Sequence, residues 1–405
     1  MSDLNSVPSG ERVHISFFGC RNAGKSSIVN RFTGQALSIV SDTPGTTTDP
    51  VKKSMELLPL GPVTVIDTPG IDDSGELGSL RAERGLDALN KTDIAILVIA
   101  SDMGVSKYDT EMLTKIREKK IPYLIVFNKT DIAGTGEIPG FDAFNGEEEH
   151  ILRVSAEKNS GIDGLRERVA GLIKDAAKDR PLIGDLISKG DRIILVVPID
   201  KAAPRGRLIL PQQQVIRDAL DNGAIPVICR DSELKDTLDA VKGPVRMIIT
   251  DSQVFKKVDG IVPDSIFLTS FSILMARYKG NFYPALSGVK AIDSLRDGDR
   301  VLISEGCSHR RQCGDIGSVK IPALLKKYTG HDINIELSSG TEFPKDLSGY
   351  SLVIHCGACM LNEAEAVSRY ERAKAQGVPI TNYGIAISYM NGILDRCTRI
   401  FSSEK

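Results

Sequence analysis

The sequence predicts an α/β protein of three domains, and three observations carry that prediction. Its 405 residues exceed what one hydrophobic core commonly supports. Short apolar runs alternate with helical patterns along most of the chain, the signature of strands and helices in layers. The alternation breaks at AAKDRPL and again near Pro263, which divides the chain into units at 1–178, 179–262 and 263–405.

In the first unit the apolar runs are VHISFF, VTVID, IAILVIA, YLIVFN and ILRVS. Unbroken apolar runs of this length read as strands buried on both sides, hence a mostly parallel sheet with helices on both faces. In the second unit, strands are expected at Ile193 to Pro198, Pro226 to Cys229 and Val245 to Thr250, with an amphipathic helix at Gln212 to Asp221. The third unit opens on DSIFLTSFSILMARYKG, read as a mostly buried helix. It continues as strand 301–305, helix 318–328, strands 333–337 and 351–355, helix 361–376 and strand 378–381. No internal repeat or low-complexity tract interrupts the three series.

Composition narrows the class of protein. With 41% hydrophobic and 26% charged residues the chain reads as globular, and its 51 basic and 53 acidic side chains nearly cancel. That balance removes the long-range field of a dedicated nucleic-acid binder. The opening MSDLNSVPSGER lacks a secretory apolar stretch, and no apolar run is long enough to span a bilayer. No nucleic-acid partner, no membrane association and a cytoplasmic location are therefore expected. Seven cysteines in such a chain read as thiols or metal ligands rather than as a disulfide framework. Cys20 and Cys229 stand alone, whereas Cys307, Cys313, Cys356, Cys359 and Cys397 fall in the last quarter.

After the first strand comes Gly19-Cys-Arg-Asn22-Ala23-Gly24-Lys25-Ser26-Ser27 and then a helical pattern, the strand-loop-helix setting of a phosphate-binding loop. Glycines let backbone amides approach the phosphates, Lys25 neutralises β/γ charge, and the Ser26 hydroxyl ligates Mg2+. The strand VTVID ends in Asp67-Thr-Pro-Gly70, which sets an acid near the metal and a glycine amide near the γ-phosphate. Between them, Thr43-Pro-Gly-Thr46-Thr47-Thr48 supplies hydroxyls to close over that phosphate, with Thr47 favoured. Asn128-Lys129-Thr130-Asp131 follows a later strand, where an aspartate accepts from both N1–H and the exocyclic amine of guanine. Ser155-Ala156 completes the base pocket through backbone amides. The ligands expected are GTP and GDP, and the activity is slow hydrolysis of GTP to GDP and phosphate. Ile71 follows Gly70, so no glutamine orients the attacking water there, and Asp73 is a weaker candidate for that task. These motifs resemble the GTPases of the tRNA-modification and Era type, in which an asparagine at the place of Asn22 supports a K+ ion on the phosphates.

The second constellation is Cys307-Ser-His309, followed by His355-Cys356-Gly-Ala-Cys359. If strands 301–305 and 351–355 lie parallel in one sheet, their C-terminal ends bring these residues to one edge, where such folds place ligands. Three thiolates and a histidine make an ordinary structural zinc site. Three thiolates with an exchangeable fourth ligand suit a 4Fe-4S cluster, with His309 and His355 as candidates for the remaining position. Cys20, Cys229, Cys313 and Cys397 read as core cysteines.

With both constellations in one chain, the sequence resembles the FeFe-hydrogenase maturation GTPases over nearly its whole length. That family joins a K+-dependent GTPase domain to a dimerisation domain and a 4Fe-4S cluster-binding domain with the pattern CxH and HCxxC, matched at Cys307, His309, His355, Cys356 and Cys359. The resemblance implies a homodimer or higher assembly that carries the two-iron precursor of the hydrogenase H-cluster. Such a carrier receives the precursor from two radical-SAM maturases and passes it to apo FeFe-hydrogenase. The rival reading is a ribosome- or RNA-associated GTPase with a structural zinc domain.

Overall fold

In the first unit, strands β1 (Val13–Phe18), β2 (Val51–Leu57), β3 (Gly61–Asp67), β4 (Ile94–Ala100), β5 (Tyr123–Asn128) and β6 (Ile151–Arg153) form one sheet in the order β2-β3-β1-β4-β5-β6. These come from a computed structural model that describes residues 9–35, 50–57, 61–70, 84–133, 138–176, 181–199, 208–307, 315–340 and 342–403. All pairings are parallel except β2 with β3. The continuous apolar runs have a direct cause. Along β4, Ile96 and Val98 pack into a layer with Ile28, Phe32 and Leu165, while Ala95, Leu97 and Ile99 pack into the opposite layer with Met112, Leu113 and Ile116. Both faces of the strand are thus covered by helices, and neither tolerates a polar residue.

Strand β2 has no counterpart among the expected elements. Its VKKSMEL segment is largely exposed and pairs on one side only, so its side chains carry charge where a central strand carries apolar groups.

The first unit ends at Lys178, and the rest of the chain forms a second compact unit containing two sheets. Strands β7 (Arg192–Val196), β8 (Ile225–Cys229), β9 (Val245–Thr250) and β10 (Phe267–Ser270) are all parallel, in the order β10-β9-β7-β8. The segment expected to open the third domain as one buried helix therefore splits. Phe267–Ser270 extends the second sheet, and the helix Phe271–Tyr278 follows, capped by the Ser270 hydroxyl accepting from the Ile273 amide. Periodicity could not separate them, because the strand and the helix that it feeds are both apolar.

The remaining sheet holds β11 (Arg300–Ser304), β12 (Asn334–Ser338), β13 (Leu352–His355) and β14 (Ile380–Asn382) in the order β12-β11-β13-β14, all parallel. Two helices connect its parallel strands. The helix Glu363–Ala375 follows β13, and the helix Ile321–Thr329 precedes β12 after a π-helical turn at Ile316–Lys320. Ser304 on β11 stands opposite His355 on β13, so the two strands end level with each other. No helix among the described residues is long and apolar enough to cross a membrane.

Candidate functional site

In the first unit, the loop from Gly19 to Gly24 joins β1 to the helix Lys25–Thr33. Its path demands positive φ at Asn22 (60°) and Gly24 (84°). Asparagine is among the few side chains that accept this conformation. A Cβ at Gly24 would lie 2.2 Å from Asn128 Nδ2, so only glycine fits beneath that amide. Asn128 is a brace: it donates to the Ala23 carbonyl at 3.0 Å and accepts from the Ala156 amide at 3.1 Å. The phosphate loop and the base loop are thereby fixed to each other.

Lys25 is buried, and its Nζ donates to the Gly19 and Cys20 carbonyls at 2.9 and 2.8 Å. The ammonium is held within the loop that encircles a phosphate. Ser26 Oγ donates to Asp67 Oδ2 at 2.6 Å, which joins the two expected metal ligands. Asp67 Oδ1 is buried with no hydrogen-bond partner among the described residues. A buried carboxylate oxygen left in this way costs free energy unless something charged completes it. Magnesium fits that position through Ser26 and Asp67. Gly70 lies against the loop, where a Cβ would stand 2.7 Å from Arg21 Cα and 3.0 Å from Lys25 Nζ. Thr47, Ile71 and Asp73 lie outside the described residues.

On the base side, Asp131 is exposed and its Oδ1 accepts from Ser155 Oγ at 2.5 Å. Lys129, at φ 63°, reaches across to Asp102 at 3.2 Å. One contact here has no motif to announce it: Arg31 Nε donates to the Ala156 carbonyl at 3.0 Å and ties the first helix to the base loop. Ser27, Arg31, Ala156 and Arg166 line a cavity of about 610 Å³ beside it. Cys20, expected in a core, is instead a half-buried residue of the phosphate loop with its Sγ 3.0 Å from Ser106 Oγ.

This arrangement yields a prediction for base selection. If the Asp131 carboxylate accepts twice from guanine, as the motif implies, each bond to that charged group is worth about 1.5–3 kcal/mol. Asp131→Asn replaces one acceptor by a donor, so GTP affinity should fall at least about tenfold. Xanthosine triphosphate, with a carbonyl where guanine has its amine, should gain affinity. Competitive binding of the two nucleotides measures the reversal, and unchanged GTP preference would remove Asp131 from the base pocket.

In the second unit, the C-terminal edge of the third sheet collects the cysteines. Cys356 follows β13, and its Sγ accepts from the Gly306 amide at 3.0 Å and the Ala358 amide at 3.4 Å. Gly306 immediately precedes Cys307 after β11, so Cys307 follows the strand end that adjoins Cys356. Burial raises the Cys356 thiol and pushes Cys359 up to about 12, with the neighbouring Cys356 adding to the latter. Among the described residues, no group of three His, Cys, Asp or Glu side chains stands at metal-holding separation. Cys307, His355, Cys356 and Cys359, the described members of the expected ligand set, thus do not form such a group. His309 and Cys313 lie outside the described residues. The chemistry of the donor set still fits an iron-sulfur cluster: soft thiols follow neighbouring strand ends of one sheet, and two backbone amides donate to the Cys356 sulfur.

His355 does not offer a free nitrogen. It is 1% exposed, Arg369 Nη1 donates to its Nε2 at 3.1 Å, and its Nδ1 donates to the Cys356 carbonyl at 2.9 Å. Because the guanidinium can only donate, the ring carries its proton on Nδ1. Burial and the Arg369 charge push the imidazole down to about 3, so it stays neutral. In this structure His355 is thus a support for the Cys356 backbone, with neither ring nitrogen directed to a metal. Arg369, itself buried, also donates to the Gly340 carbonyl at 2.6 Å and pairs with Glu365 at 2.9 Å. Glu305 is buried between Cys356 and Tyr383, whose hydroxyl donates to it at 3.3 Å. Sequence reading missed Arg369 and Glu305, since a charge on a helix or at a strand end ordinarily faces water.

Comparison with known proteins follows the same division. A family model described as the hydrogen maturase F tetramerization domain matches residues 283–400. Another, described as the hydrogen maturase F dimerization domain, matches residues 182–280, and a model described as a 50S ribosome-binding GTPase matches 14–129. The tRNA modification GTPase MnmE of Laribacter hongkongensis is 32% identical over 158 residues, 39% of this chain and 34% of that protein. GTPase Der of Kosmotoga olearia is 35% identical over 135 residues, 32% of this chain and 30% of that protein. The chain thus spans about a third of the length of these curated relatives. Among solved structures, Aquifex aeolicus Era is 18% identical, covering 61% of this chain and 97% of its own, at a TM-score of 0.36. The G domain of the T. maritima FeoB iron transporter is 22% identical, covering 42% and 100%, at a TM-score of 0.30. An N-terminal GTPase domain, followed by dimerization and tetramerization domains that together take up more than half of its length, means that the chain belongs to the hydrogen maturase F family.

Proposed function

We propose that this protein hydrolyses GTP in its first domain and carries a 4Fe-4S cluster in its third, and that it delivers the two-iron precursor of the H-cluster to apo FeFe-hydrogenase. The observation that supports the carrier role is the level ending of β11 and β13, which sets Cys307, Cys356 and Cys359 on one sheet edge with the Gly306 amide on the Cys356 sulfur. These three thiolates would hold the cluster, whose fourth iron supplies an exchangeable coordination position. His355 and Arg369 then orient the Cys356 backbone from below. Two radical-SAM maturases are the proposed donors of the precursor, and the dimerization and tetramerization domains provide the assembly.

In the GTPase domain, Lys25 would neutralise the β- and γ-phosphates, and Mg2+ held by Ser26 and Asp67 would supply Lewis-acid charge. Thr47 and Gly70 would contact the γ-phosphate, and Asn128, Asp131, Ser155 and Ala156 would read guanine. Asn22, exposed and at positive φ in the phosphate loop, would support a K+ ion beside the phosphates. Hydrolysis should therefore rise at least about tenfold when K+ replaces Na+, equal to about 1.4 kcal/mol of barrier. Equal rates in the two salts would end the K+ assignment.

Anaerobic purification followed by iron, sulfide and zinc analysis tests the carrier reading directly. About four iron and four sulfide per chain support it. Zinc without sulfide would favour the rival, a zinc-stapled RNA-associated GTPase.

A further inference from the structure

From the placement of Lys279 we infer that its ammonium is an internal cation of the cysteine loop beside that of Arg369, a positioning residue that fixes the Cys356–Leu361 backbone and offsets the negative charge of a cluster bound there. This rests on the cluster reading above. Lys279 caps the helix Phe271–Tyr278, which follows a strand of the second sheet, yet its side chain reaches the loop of the third. It is only 4% exposed, and its Nζ donates to the Leu361 carbonyl at 2.9 Å.

The same helix underlies the middle of the loop. A Cβ at Gly357 would sit 3.7 Å from Ser272 Oγ and 3.8 Å from Met275 Cβ, so the loop backbone rests on this helix. Ala358 is held at φ 55°, a left-handed conformation that costs a non-glycine residue free energy and persists only where the surroundings enforce it. Leu361 closes the turn by donating its amide to the Ala358 carbonyl at 3.0 Å. Its side chain fills the space in front of Gly306, where a Cβ would stand 2.8 Å from Leu361 Cγ. Gly306 in turn donates to Cys356 Sγ. Lys279 therefore holds the residue that locks both the strained turn and the strand end bearing Cys307.

A buried ammonium is expensive, and a neutral glutamine amide could donate to the same carbonyl at lower desolvation cost. The charge makes sense where the neighbourhood becomes anionic. Three thiolates on a cluster place further negative charge in the same enclosure, and reduction adds one electron more. A nearby cation stabilises the reduced state over the oxidised one in this low-dielectric setting.

The test uses the full-length chain in parent, Lys279→Met and Lys279→Arg forms. In the cluster-free proteins, hydrogen exchange over residues 356–362 should quicken at least tenfold in Lys279→Met and recover in Lys279→Arg. After anaerobic reconstitution with iron and sulfide, at a fixed redox poise, Lys279→Met should show a tenfold lower ratio of reduced to oxidised cluster. That fold-change corresponds to about 59 mV for one electron. Lys279→Arg should stay near the parent, which separates charge from packing. Unchanged exchange together with an unchanged redox ratio in iron-loaded Lys279→Met overturns the proposal. If the parent takes up no iron, the cluster reading fails and the charge role falls with it, whereas failure with a loaded parent condemns Lys279 alone.

Discussion

Lys25→Ala is expected to lower GTP turnover by at least about a hundred- to a thousandfold, the range seen when one preorganised transition-state donor is removed. The phosphoryl group leaves with charge spread over its oxygens, so stabilising that charge is most of what the protein contributes. Lys25 is the cation already enclosed by the loop, buried and held on the Gly19 and Cys20 carbonyls. Its loss leaves those carbonyls without a donor as well, a cost to the fold of about 1 kcal/mol. Turnover and thermal unfolding measured together separate the two effects. A large fall in rate with a small fall in melting temperature is the expected pair. Ser26→Ala should produce a similar loss by a different route, since it removes one of two oxygen ligands and leaves Asp67 to hold Mg2+ alone. High Mg2+ should therefore rescue Ser26→Ala in part and Lys25→Ala not at all. Near-parent turnover in Lys25→Ala would mean that the loop does not bind the triphosphate as argued.

The GTPase site was legible because its chemistry is carried by backbone geometry that few residues permit. Gly24 under Asn128, Asn22 at positive φ and Asp131 beside Ser155 all stand in the order and on the elements that the motifs require. The sheets were legible where strands are buried on both faces, as in β4. They were not where a strand is exposed, as in β2, or where an apolar strand runs directly into an apolar helix, as at Phe267–Tyr278. The cysteine edge was legible only in part. Parallel strands ending level could be inferred from the alternation, and Cys356 and Gly306 meet accordingly. What sequence could not supply is which polar groups are consumed by the scaffold. His355 sits within a metal-like pattern, but both its nitrogens are taken by Arg369 and the Cys356 carbonyl. Lys279 belongs to a segment with no motif at all, and only the tertiary fold brings it to Leu361.

Cys356→Ser is expected to cut the iron retained after anaerobic reconstitution at least about tenfold, or 1.4 kcal/mol of binding per chain. The reason lies in the sulfur itself. As thiolate, Cys356 accepts from the Gly306 and Ala358 amides, two donors that favour the charged form against the burial that raises its thiol. A serine hydroxyl accepts from the same amides and so keeps the loop folded, but it remains neutral and is a hard, weak ligand for iron. Fold and ligation are thereby separated in one substitution. Thermal stability should change by only about 1 kcal/mol, and GTP turnover should stay close to the parent, because Lys25, Ser26 and Asp67 lie in the other compact unit. Activation of apo FeFe-hydrogenase in an anaerobic mixture with precursor should be lost along with the iron. His355→Gln should behave differently, since both ring nitrogens of His355 are engaged in supporting the Cys356 backbone. Iron should be retained there, while the electron paramagnetic resonance spectrum of the reduced cluster shifts as the Cys356 backbone relaxes. Full hydrogenase activation by an iron-free Cys356→Ser chain given precursor would show that the cargo docks somewhere other than this sheet edge.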